Sequence, residues 1–85
     1  MAKADAARPR KLLSPELAFG HVLRVVRQKA GLSQDALAHA SGYHRTYIGQ
    51  MERGEKSPSL RTIFNLAATL KITPSALIRA TERRL

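Results

Sequence analysis

Apolar positions return along most of this chain at a spacing near 3.6 residues, the period of one helix face. Ser14-Pro15-Glu16 sets the first start: a hydroxyl cap, a proline at the first helical position and an acid in the first turn. Apolar residues then fall at Leu17, Phe19, Val22, Leu23, Val26 and Ala30. Gly31 stops this helix, where a left-handed residue costs least if it is glycine. Ser33 caps a second, short helix with Asp35 at its positive end and Leu37 and Ala38 facing inward; it stops at Ser41-Gly42. A third helix runs from Arg45 to Arg53 and ends at Gly54. A fourth starts near Ser57 or Ser59, since Pro58 allows either cap, and turns Leu60, Ile63, Leu66, Ala67 and Leu70 inward. Thr73-Pro74 opens a fifth, with Leu77 and Ile78 on it.

The pattern predicts an all-α fold, a compact bundle of five helices at about 15–30, 34–41, 45–53, 59–70 and 74–82. No alternating run or hairpin turn signal marks a strand. Residues 1–13 have no helical apolar period. They hold Lys3, Arg8, Arg10 and Lys11 against Asp5, with Pro9, and read as a flexible basic arm ahead of a domain at 14–85.

Gln34 to Arg53 reads as helix, tight turn, helix. Two short helices that cross closely need a small residue at the contact, which Ala38 supplies. The turn needs a residue tolerant of positive φ, which Gly42 supplies. Ile48 and Met51 anchor the inner face of the third helix. With Arg45 at zero and about 100° per residue, Gly49, Arg53, Thr46 and Gln50 fall between about 40° and 140°. Met51 and Ile48 fall near ~240° and ~300°, on the other side. The outer face is a base-reading set. Arg45 suits guanine O6 and N7, Gln50 suits adenine N6 and N7, and Thr46 suits a thymine methyl or a phosphate. Gly49 lowers helix propensity by about 1 kcal/mol, and close approach of the backbone to a groove floor is the expected reason for it.

Charge sharpens this reading. The 85 residues include 15 Lys+Arg and 6 Asp+Glu, a net charge of +9. The preferred partner is therefore anionic: nucleic acid first, an anionic membrane surface second. A membrane peptide would keep its apolar faces for lipid, whereas here five helices need theirs for one core. No cysteine is present, so disulfides and cysteine-based zinc sites are excluded. His21, His39 and His44 do not form a metal-ligand pattern, and no metal or cofactor is expected. No nucleophile–base–orienter arrangement and no glycine-rich phosphate loop appears, so the chain does not read as an enzyme. The apolar runs are too short to span a membrane, and no secretory signal stands at the amino end. A cytoplasmic, nucleoid-associated protein of bacterial or phage origin is expected, with no room for an ordinary small-molecule sensor.

The residues Phe19…Leu23…Val26-Arg27, Gly31-Leu32-Ser33-Gln34, Leu37-Ala38, Gly42, Thr46-Tyr47-Ile48…Met51-Glu52-Arg53-Gly54 and Pro58-Ser59-Leu60…Ile63…Leu66-Ala67…Leu70 continue to Pro74…Leu77. In this register the chain resembles the lambda-repressor/Cro-like helix-turn-helix proteins, the xenobiotic-response-element family, over roughly residues 17–79. The resemblance implies a lambda-repressor-like five-helix bundle that binds double-stranded DNA. It implies base contacts from Arg45, Thr46 and Gln50. It implies that Gln34 meets a phosphate and braces the start of the third helix. Lys56, Ser59 and Arg61 fall where the family meets the sugar-phosphate backbone. Arg27 and Glu52 match a structural ion pair. His44 stands where Ser or Thr is common, as a cap or a phosphate contact. Tyr43 replaces a small aliphatic residue, and Lys71 replaces Gly or Asn after the fourth helix. Arg53 can meet DNA or be satisfied locally by Glu52 or Glu55.

The expected function is a sequence-specific regulator of transcription, a homodimeric repressor reading two inverted half-sites. Leu77, Ile78, Ala80 and Leu85 are the expected dimer surface, having little core left to bury into. A restriction–modification controller fits within this class. The competing reading is the antitoxin of a toxin–antitoxin pair, which uses the same fold to hold a protein partner.

Overall fold

The structure, a computed structural model, describes residues 13–85; the expected basic arm, Leu13 apart, lies outside the described residues. Five helices follow one another: α1 (Pro15–Lys29), α2 (Gln34–Ser41), α3 (Arg45–Glu52), α4 (Leu60–Leu70) and α5 (Pro74–Arg83). No strand occurs among the described residues. Four of the five starts carry a hydroxyl cap: Ser14, Ser33, Ser59 and Thr73 accept from the amides of Leu17, Ala36, Thr62 and Ala76 at 3.0–3.1 Å. Ser59, not Ser57, therefore begins α4. His44 occupies the cap position of α3 without a side-chain hydrogen bond. Lys71 follows α4 in the left-handed region at φ 59°, the one described non-glycine residue there. Its amide reaches the Ala68 carbonyl.

The core sits where α1 meets α3 and α5 and where α2 closes against α3 and α4. Leu23, Leu37, Ile48, Met51, Leu66 and Leu77 are its fully buried side chains. Burying each of these contributes about 1.5–3 kcal/mol relative to leaving it in water.

Three expectations of burial are corrected. Leu60 is 72% exposed, not inward. The buried face of α4 centres on Thr62, Leu66, Ala67 and Leu70, and Leu60 lies about a quarter-turn from it at the helix start. Leu77 is fully buried and cannot form a dimer surface, because α5 lies across both α1 and α4 and closes over it. Leu17 is 41% exposed, and its side chain rests on Gly54.

Gly20 sets how closely two helices approach. It lies buried in the middle of α1, and a Cβ there would stand 2.7 Å from the Glu52 carbonyl oxygen. Only a hydrogen at this position lets the end of α3 lie against α1. That contact aims the Glu52 side chain along α1 toward Arg27.

Candidate nucleic-acid interface

α2 ends at Gly42, whose φ of 81° turns the chain sharply into His44 and α3. Ile48 and Met51 bury the inner face of α3. Arg45 and Thr46 are exposed and Gln50 is half-buried on the outer side. The helix is thus oriented by its apolar anchors, and the polar face follows from the wheel.

Polar contacts fix α3 at both ends. At its carboxyl end, Arg27 donates to Glu52 through Nε and Nη2, the latter at 2.9 Å from Oε1. Arg27 Nη1 also donates to the Leu32 carbonyl at 2.9 Å. Gln34 Nε2 donates to the same Glu52 Oε1 at 3.0 Å. The Arg27 and Glu52 side chains are only 10% and 4% exposed. The hydrogen bond to Glu52 is the largest cause holding the Arg27 guanidinium further above its ordinary pKa, against desolvation. Gln34 therefore braces the end of α3, not the start as expected, because α2 delivers its amino terminus beside Glu52.

Toward the start of α3, the rings of Tyr43 and Tyr47 meet edge to face at 5.3 Å. The Tyr47 and Ser59 hydroxyls lie 3.2 and 3.0 Å from the buried Thr62 Oγ1. Asn65 Nδ2 donates to the Tyr43 hydroxyl at 2.9 Å. The first turn of α3 is tied to α4 by this cluster in place of a cap from His44.

Two arginines of the expected surface have acidic neighbours. Arg45 lies 3.2 Å from Asp35 of α2, both side chains largely exposed. Arg53 makes a two-pronged contact with Glu55 at 2.8 and 3.1 Å. That contact raises Arg53 and lowers Glu55 from their ordinary pKa values. Gly49 stands beside the Arg53 and Gln34 side chains. It is buried, and a Cβ would stand 3.1 Å from Arg53 Nη1 and 3.7 Å from Gln34 Oε1. Its lack of a side chain leaves room for these two.

Lys56 and Arg61 are exposed, and Ser59 is exposed while capping α4. His44 is exposed beside Arg45. Ile78 is 47% exposed and Leu85 half-buried, whereas Phe64, which drew no notice in the sequence, is 55% exposed. Thr62, Asn65 and Tyr47 were also missed as supports. Their only sequence signal is a polar or aromatic residue near an apolar face, which by itself names no partner.

The helix-turn-helix family model HTH_3 matches residues 23–77, most of the chain and all of α2 and α3. The chain belongs to this helix-turn-helix family. It is a DNA-binding regulator of transcription, of the lambda-repressor-like, xenobiotic-response-element type. Control protein C.BamHI of Bacillus amyloliquefaciens is 38% identical over 63 residues, covering 73% of this chain and 78% of that protein. Control protein C.SmaI of Serratia marcescens is 43% identical over 56 residues, covering 66% and 67%. Among solved structures, the restriction-modification controller protein C.AhdI from Aeromonas hydrophila superposes with a TM-score of 0.70. It is 46% identical and the match covers 72% of this chain and 92% of that one. The family match thus extends beyond α2 and α3 into α1, through α4 and into α5. No described helix is long and apolar enough to cross a membrane.

Proposed function

We propose that this helix-turn-helix protein controls a restriction–modification operon by binding, as a homodimer, two inverted half-sites with α3 in the major groove. One observation carries the reading: the outer face of α3 presents Arg45, Thr46 and Gln50 from a helix braced by Arg27–Glu52 and the Tyr43–Tyr47–Thr62 cluster. The similarity to three control proteins, C.BamHI, C.SmaI and C.AhdI, supports the choice of operon. Arg45, Thr46 and Gln50 read bases. Gln34, His44, Arg53, Lys56, Ser59 and Arg61 meet the sugar-phosphate backbone. For Arg53 this requires release from Glu55, an exposed pair worth little in water.

One helix-turn-helix reads only a few base pairs, so two copies are needed for a useful operator. Leu60, Phe64 and Ile78 are the exposed large apolar residues of α4 and α5, and they support dimerisation through these helices. The action is in the cytoplasm, on double-stranded DNA. The antitoxin reading has no specific observation in its favour.

Selection from a random duplex library at about 150 mM salt tests the proposal, since non-specific phosphate attraction is already weakened there. Two enriched inverted half-sites about one helical turn apart are expected. An enriched single half-site removes the dimer, and no enriched motif removes sequence reading.

A further inference from the structure

An open groove of about 330 Å³ runs between α1 and α5. Its floor is Val22, Val25, Val26 and Ala80, and its rim is Lys29, Arg83 and Arg84. Among the described residues, no acidic one lines it. The rim cations stand at the carboxyl ends of α1 and α5, where two helix dipoles present about half a negative charge each. Three full positive charges exceed that, so the rim remains cationic.

The groove faces away from the recognition helix. Gly20 and Arg27 are the α1 positions that meet the end of α3. Val22 and Val25 lie about 140–160° around α1 from them. A duplex held by α3 therefore leaves the groove open. Phosphates would reach its rim but leave the part-exposed Val25 and Val26 of its floor in water.

The chain itself is a poor occupant. Its first residues bring Lys3, Arg8, Arg10 and Lys11, of the same sign as the rim. A second copy brings few acids, because Asp35, Glu52 and Glu55 are already engaged by Arg45, Arg27 and Arg53. The groove is also open along its length. A small ligand is usually enclosed over most of its surface, whereas a helix laid between two others brings its own cover.

We propose that the α1–α5 groove receives an acidic amphipathic helix of a partner protein, its apolar anchors on the valines and its carboxylates on Lys29, Arg83 and Arg84. Such a contact would recruit the partner to DNA already held by α3. The binding itself does not depend on the operon proposed above.

The test is a titration of the nitrogen-labelled full chain, followed by amide chemical shifts. The probe is a blocked peptide of roughly 16 residues with leucines at i, i+4, i+7 and i+11 and glutamates between. Saturable shifts confined to residues 22–29 and 80–84 are expected. Arg83→Glu with Arg84→Glu, both exposed, is expected to weaken binding about tenfold or more. Val25→Ser is expected to weaken it without changing charge. Absence of saturation overturns the proposal, as does equal binding of a scrambled peptide or shifts spread over α3. Loss of affinity for random duplex DNA in the double variant, with peptide binding intact, assigns the cations to DNA instead.

Discussion

Arg27 and Glu52 stand 25 residues apart and meet as a buried, two-pronged ion pair joining α1 to the end of α3. The Arg27 guanidinium thereby offsets the Glu52 charge at the end of α3. Gln34 shares the same carboxylate, so one acid holds three helices in register.

Removing one partner leaves the other charge buried. Glu52→Ala is expected to lower stability in urea unfolding by about 3–5 kcal/mol. Combining Glu52→Leu with Arg27→Met is expected to recover much of that, since neither charge is then stranded. A double variant as unstable as Glu52→Ala would show that packing at this junction, not charge, is what matters.

Two glycines inside helices should respond oppositely to alanine. At Gly20 the added Cβ meets the backbone carbonyl of Glu52, which is rigid. Gly20→Ala is expected to cost about 1–3 kcal/mol through overpacking, despite better helix propensity. At Gly49 the neighbour is the far end of the Arg53 side chain, which can swing away. Gly49→Ala is expected to be neutral or to stabilise by up to about 1 kcal/mol. Thermal melts of the two variants check both signs.

On DNA the outer face of α3 and the loop before α4 should separate. Arg45→Ala is expected to cost about 1–3 kcal/mol on the selected site and to relax one base position. Lys56→Ala is expected to weaken all sequences alike and to lower the salt slope by about one. Binding assays over a salt series distinguish the two. Equal loss on selected and random duplexes for Arg45→Ala would remove it from the base-reading set.

Lys71 carries a left-handed backbone at φ 59° that glycine adopts without Cβ strain. Lys71→Gly is expected to raise stability by about 1 kcal/mol, and an unchanged or lower melting temperature would count against that strain.

Arg53 holds the Glu55 carboxyl below its ordinary range, chiefly by a side-chain hydrogen bond. The folded protein then binds that proton less readily than the unfolded chain. Any stabilisation is full above the ordinary carboxylate pKa and is lost as pH falls through the lowered value. The pair is exposed, so the effect belongs to the site rather than to global stability. Side-chain NMR should place the Glu55 midpoint lower in the native protein than in Arg53→Gln, and equal midpoints would refute the pairing in solution.

Much of the architecture was legible before any coordinates. Ser14, Ser33 and Thr73 cap as their positions suggest, and Gly42 turns left-handed between α2 and α3. Ile48 and Met51 face inward, which by itself turns Arg45 and Thr46 outward. These signals are local: a cap acts within one helical turn, and a face follows from spacing along one helix.

What depends on which helix lies over which could not be read along the chain. Leu60 and Leu77 have the same side chain, yet α5 buries Leu77 against its neighbours and leaves Leu60 in water. Gly20 looks like a weak point in α1 until the carbonyl of Glu52 is found against it. Gln34 reaches the end of α3 because of how α2 crosses it, and Gly49 lies beside Gln34 and Arg53 for the same reason. The sequence by itself determined the five helices, their caps and the polar face of α3. The tertiary structure decided which apolar residues are buried, where two backbones touch and which acid each arginine holds. Those outcomes are set by contacts between residues far apart in the chain, and no local spacing encodes them.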